Sequence, residues 1–180
     1  MERENRRQPG SAGRTCCGPM SMNAPLAEAA IKGHRPSART AGDGVPVDDI
    51  LETVHHFRTI DYVIDCAHDV LTEEIVKRLH EMLKRDTKDA SLDWFAVGDY
   101  KRRPNVAGGH ETTKPEDVPF RMKALLDGYN AKSEVTIQDV IAFHAEFEKI
   151  HPFQDGNGRV GRLIVLKECL RHSIVLFLIY

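Results

Sequence analysis

The chain has 180 residues, with 25 Lys and Arg against 27 Asp and Glu, a formal net charge of -2, 41% hydrophobic and 29% charged residues. That length suits one domain with an appendage and is enough to bury a core. The charge balance excludes a general pull toward nucleic acid and confines anion binding to local patches, and no run approaches the ~20 apolar residues of a membrane span, so neither nucleic acid nor membrane is an expected partner.

Residues 1 to 45 are rich in Arg, Gly, Pro, Ser and Ala without hydrophobic periodicity, and are expected to be a disordered or loosely attached leader. The compact domain is expected over residues 46 to 180. Its first helix carries Ile50, Val54, Phe57 and Asp61 on one face that continues through Ile64, with Asp48 and Asp49 in the first turn. Thr72 followed by Glu73 and Glu74 starts a second helix with a stripe of Ile75, Leu79, Met82 and Leu83.

Residues 93 to 119 break the helical period with Gly98, Pro104, Gly108, Gly109 and Pro115. Extended pieces around Val97 to Tyr100 and Asn105 to Ala107 point to a small hairpin or a long ordered loop, of the kind that is commonly functional. A helix resumes at Pro119, with Val118, Met122, Leu125, Leu126 and Tyr129 on its apolar side. Thr136 and Asp139 form a capping-box-like start to the next, which places Ile137, Val140, Ile141, Phe147 and Ile150 at core spacing and ends at His151 before Pro152. Leu163 to Leu170 is apolar on most sides and reads as the central helix. The apolar run at 174 to 180 stops abruptly, so a C-terminal truncation is expected. Cys16, Cys17, Cys66 and Cys169 show no CxxC or metal spacing and read as reduced thiols of a cytoplasmic protein.

Between the last two helices lies HPFQDGNGRVGR, residues 151 to 162. Gly156, Asn157 and Gly158 directly precede a helix, so backbone N–H groups without intrahelical partners converge at the positive end of its dipole, where phosphate is the natural occupant. Asn157 adds a side-chain donor, and Arg159 and Arg162 share one face of the new helix, suited to forked bonds with further phosphates. Asp155 suits a hard oxygen ligand for Mg²⁺. His151 is the one group whose ordinary pKa suits proton transfer near neutral pH. Taken singly, each has a bland reading as a turn, a cap or a solvated surface charge. Their concentration in one loop is the parts set for nucleotidyl or phosphoryl transfer to a hydroxyl.

With these residues the chain resembles the Fic (filamentation induced by cAMP) family, whose motif HxFx(D/E)GNGRxxR is matched by His151, Phe153, Asp155, Gly156, Asn157, Gly158, Arg159 and Arg162. The resemblance implies an all-α fold, a helical core with a small β-hairpin flap around Gly108, Gly109 and His110 that docks a target segment by strand addition. It implies a protein adenylyltransferase using ATP and Mg²⁺: His151 as base toward a target Ser, Thr or Tyr hydroxyl, Asp155 on the metal, residues 156 to 158 as anion hole, and both arginines on distal phosphates. The protein partner would present that hydroxyl. Relatives use the same loop for other phosphoryl transfers, and a silent peptide-binding module or the toxin of a toxin–antitoxin pair are the alternatives. Many members carry an inhibitory (S/T)xxxE(G/N) motif, whose best register here starts at Ser37 and has Ala41 in place of the glutamate. That departure implies a missing internal brake on Arg162, or a regulatory partner that supplies one.

Overall fold

The computed structural model describes residues 47–174. The leader, the Ser37 to Ala41 register and residues 175–180 lie outside them. Five helices are present among the described residues: α1 (Val47–Asp65), α2 (Glu73–Lys84), α3 (Val118–Asn130), α4 (Ile137–Ile150) and α5 (Asn157–Arg171), with one hairpin of β1 (Val106–Ala107) and β2 (His110–Glu111) between α2 and α3. None of these helices is long and apolar enough to cross a membrane.

Local chemistry sets the helix starts. Thr72 is extended at the start of α2, and its hydroxyl accepts from the Ile75 N–H at 3.4 Å. Thr136 and Asp139 complete a reciprocal capping box at α4, the Asp139 carboxylate accepting from the Thr136 N–H at 2.9 Å. The same bonds, with Lys132, hold Asp139 well below the usual carboxylate range.

Helix α5 is the centre of the bundle and touches α1, α2 and α4. Its Val160, Leu163 and Ile164 meet Phe147 and Ile150 of α4 and Leu79 and Leu83 of α2 in a single buried cluster. Each such side chain contributes about 1.5–3 kcal/mol by leaving water. The hairpin turns at Gly108 and Gly109, both at positive φ (57° and 80°), as a two-residue turn matched to strand twist requires. Ala107 pairs with His110, and Val106 with Glu111.

Three expectations are corrected. The face of α1 turned inward is His55, Thr59, Val63 and Cys66, while Ile50, Phe57 and Ile64 are exposed. A helical period fixes which residues share a face; which face packs is decided by neighbours, and Thr59 is buried at no cost in lost bonds because its hydroxyl donates to the His55 carbonyl at 2.6 Å. On α4, Phe143 is buried and Ile141 exposed for the same reason. The second strand follows the Gly108–Gly109 turn; residues 97 to 100 are a turn with Gly98 at φ 73°.

At Gly161 of α5 there is no room for a side chain against α4. A Cβ there would lie 2.7 Å from both a Glu148 carboxylate oxygen and the His144 ring. Gly161→Ala is therefore expected to destabilise the protein by about 1–3 kcal/mol, read as a lower urea midpoint with an unchanged m-value; an unshifted midpoint would show that the helices separate freely.

Candidate active site

The loop between α4 and α5 is shaped by its two ends. His151 closes α4 in the left-handed region (φ 52°, ψ 62°), its N–H still donating to the Phe147 carbonyl at 2.9 Å. A β-carbon in that region costs about 1–2 kcal/mol, which the following proline and the packed loop sustain. At the other end Gly156 (φ 80°) caps α5. Between them Phe153 is fully buried and stacks on His80 with centroids 4.1 Å apart and planes 6° apart. The polar residues on either side are thereby left at the rim.

The Asn157 side chain sits elsewhere than expected. It is 1% exposed, accepts from the Phe153 N–H and donates to the Phe153 carbonyl, both at 2.8 Å. Both faces of the amide go to one residue of the loop, so the side chain is spent on the loop and the backbone N–H at the start of α5 is what Asn157 can offer an anion.

His151 is half-buried, and its Nδ1 lies 3.3 Å from the Glu148 carbonyl. A carbonyl only accepts, so the neutral ring carries its proton on Nδ1 and presents the Nε2 lone pair. Burial lowers the imidazole pKa below its ordinary 6.5, outweighing the Glu148 carbonyl and carboxylate that favour the cation. At neutral pH the ring is a free base.

Asp155 belongs to a charge cluster that the sequence reading missed. Lys84 of α2, 1% exposed, reaches Glu52 of α1 at 2.6 Å, Asp89 at 3.1 Å and Asp155 at close range. Arg159 makes a short ion pair with the other Glu52 oxygen and lies 3.6 Å from Asp155. Burial alone would lower Lys84, but its bonds to Asp155 and Glu52 hold the ammonium above the usual lysine value. The same bonds outweigh burial at Asp155 and Glu52 and keep both carboxylates ionised below their usual range. One ligand oxygen from each of Glu52, Asp89 and Asp155 falls within 4.8 Å of the others. The Lys84 ammonium is bonded to all three, so it is the resident cation among them. The half-exposed Asp155 carboxylate is the group that faces outward and fits a hard divalent ion.

His80, one turn before Lys84, is held near pKa 4 by burial and then by the Lys84 charge, and accepts the Gly98 N–H at 3.0 Å. The one legible sign of this pair was that Val76, His80 and Lys84 continue the core side of α2 at four-residue spacing.

Arg162 is exposed, and with Arg159, Glu52, Thr53, His56 and Phe57 it lines a cleft of about 420 Å³ between α1 and α5. Burial, then the charges of Arg159 and Arg162, lowers the His56 pKa. The hairpin stands on the far side of the loop: His110 and Glu111 border a second cleft, about 350 Å³, whose other wall is Glu148 and Lys149 of α4. Arg159 and Arg162 thus line the first cleft and His110 the second, while His151 and Asp155 lie on the loop between α4 and α5 with Gly156 and Asn157 buried at its end.

A family model described as the Fic/DOC family matches residues 70–168. A probable protein adenylyltransferase of Aquifex aeolicus is 27% identical over 126 residues, 64% of this chain and 37% of that protein. Protein adenylyltransferase Fic of Drosophila willistoni is 28% identical over 130 residues, 71% of this chain and 26% of its own length. The chain thus spans well under half of these curated relatives. Among solved structures, a Fic domain containing signaling protein from Bacteroides thetaiotaomicron superposes with a TM-score of 0.63 at 30% identity, over 72% of this chain and 51% of that one. Fic-1 of C. elegans, at 20% identity, shares the fold with a TM-score of 0.59 over 71% of this chain and 38% of its own.

Lys84→Met leaves three carboxylates facing one another without their cation. The loss of stability is expected to be about 3 kcal/mol, as for other broken buried ion pairs, and to be recovered in part by Mg²⁺ once the oxygen cluster is vacated. Chemical denaturation with and without Mg²⁺ checks both; equal stability of the variant and the parent would remove Lys84 as the hub.

Proposed function

This chain belongs to the Fic/DOC family, and from that membership we propose that it is a protein adenylyltransferase that moves AMP from ATP to a Ser, Thr or Tyr hydroxyl of a target protein. The observation that carries the reading is a neutral histidine base with its Nε2 lone pair available on the same short loop as a helix N-terminus, two arginines and an outward carboxylate.

The target hydroxyl gives its proton to His151 Nε2 as its oxygen forms a bond to the α-phosphorus of ATP. The bond from that phosphorus to the bridging oxygen of the β-phosphate breaks, and pyrophosphate leaves with the electron pair. The backbone N–H groups of residues 157 and 158 take the oxygens of the phosphoryl centre as charge builds there. Arg159, steadied by Glu52, and Arg162 hold the distal phosphates and oppose the charge on the leaving group. Asp155 would hold Mg²⁺, which when bound supplies charge neutralisation at the α- and β-phosphates. The hairpin of residues 106 to 111 offers its β2 edge to an extended target segment, so a hydroxyl carried there lies toward the Glu148 and His151 side. The exposed Arg162 also suits a carboxylate supplied by a regulatory partner.

His151→Ala is expected to lose AMP transfer by a factor of roughly 10² to 10⁴, the usual contribution of a general base, while ATP still binds. Radiolabel from α-labelled ATP should appear on protein; label arriving only from the γ-position would replace AMP transfer with phosphoryl transfer. Because the His151 pKa is lowered from 6.5, the acid limb of kcat/KM is expected below pH 6.5, with the rate rising as the ring deprotonates and level above it. A limb at or above that value would assign the base to another group.

A further inference from the structure

A second buried lysine, Lys101, lies on the other side of the loop and is 3% exposed. Its backbone N–H donates to the Pro152 carbonyl at 2.8 Å, and its Nζ donates to the Ile150 carbonyl at 3.4 Å. Those carbonyls flank His151, so one residue grips the chain on both sides of the left-handed position. The same Nζ donates to Asn105 Oδ1 at 2.7 Å and Thr112 Oγ1 at 2.6 Å. Asn105 and Thr112 are the residues just outside the hairpin, joined across its neck by the Thr112 N–H to the Asn105 carbonyl at 3.3 Å. Asn105 in turn donates from Nδ2 to the Phe153 carbonyl at 3.0 Å.

We propose that Lys101 is a positioning residue that couples the hairpin to His151, so that the target-docking edge and the proton acceptor are held as one unit. An ammonium carries three protons, and here three neutral acceptors from the hairpin neck and the end of α4 take them. Among the described residues no carboxylate bonds it, and burial lowers its pKa to about 8. An apolar side chain of the same length would fill the space without desolvating a charge, but could not tie three separate backbone segments to one point. Lys101 differs in this from Lys84, whose acceptors are carboxylates of the metal and phosphate side. Its role as a link to a docking edge rests on the adenylyltransferase reading; its role as a latch does not.

The test uses the full chain and two variants, Lys101→Met and Lys101→Arg. Hydrogen exchange of the amides of residues 106 to 111 is expected to quicken roughly ten-fold or more in Lys101→Met, as loss of several charge-assisted bonds implies, and to stay slow in Lys101→Arg. The NMR titration of the His151 ring is expected to move upward in Lys101→Met, because the ammonium now opposes its protonation, and to return in Lys101→Arg. Unchanged hairpin exchange, equal quickening in both variants, or an unmoved His151 titration each overturns the coupling. Should Lys101→Met fail to fold, Thr112→Val removes one acceptor at the neck, and unquickened exchange there is the overturning result. If the parent protein transfers no AMP, the proposed activity falls while hairpin exchange still decides the role of Lys101.

Discussion

The two hydrogen bonds between the Asn157 amide and the Phe153 peptide are the constraint on which the rest of the site depends. They tie Phe153, in the loop after one core helix, to the first residue of the next. With Phe153 fixed, its ring inserts beneath the loop against His80, Tyr100 and Phe147. The loop is then anchored from below by an apolar plug and drawn tight by an amide, and its remaining polar groups face outward. A buried amide satisfied at both ends costs little, whereas the same amide left unpaired would cost about 1–3 kcal/mol.

Two lysines hold this loop and differ in kind of partner. Lys84 is enclosed by Glu52, Asp89 and Asp155, which keep it charged and are kept ionised by it. It steadies Asp155 directly and Arg159 through Glu52. Lys101 has neutral acceptors, so burial lowers its pKa, and it bonds the hairpin neck and the backbone on both sides of His151. The loop is thus divided between a strongly ionic half and a half built of neutral dipoles, with His151 on the latter, where its uncharged form is favoured.

Much of the local structure was legible. The caps at Thr72 and Thr136 and the end of α4 at His151 before Pro152 each follow from the conformational preference of one or two residues. The buried face of α1 was not, because Ile50, Phe57 and Ile64 share a face at helical spacing just as His55, Thr59 and Val63 do, and the period is silent on direction. Glu52 and Lys101 could not be found by motif, since each stands far along the chain from the loop it serves and looks like an ordinary surface charge.

By itself the sequence determined the family, the all-helical architecture and the loop of His151, Asp155, Gly156 to Gly158, Arg159 and Arg162, because those features rest on close spacing and intrinsic backbone preference. Only the tertiary structure decided that Asn157 braces the loop through its side chain, that Lys84 is the cation among three carboxylates, and that Lys101 bonds both the hairpin neck and the backbone beside His151. The bonds of Lys84 to Glu52 and of Lys101 to the Ile150 carbonyl join groups 30 or more residues apart, brought within hydrogen-bond reach by helix packing, and no local pattern encodes such a distance.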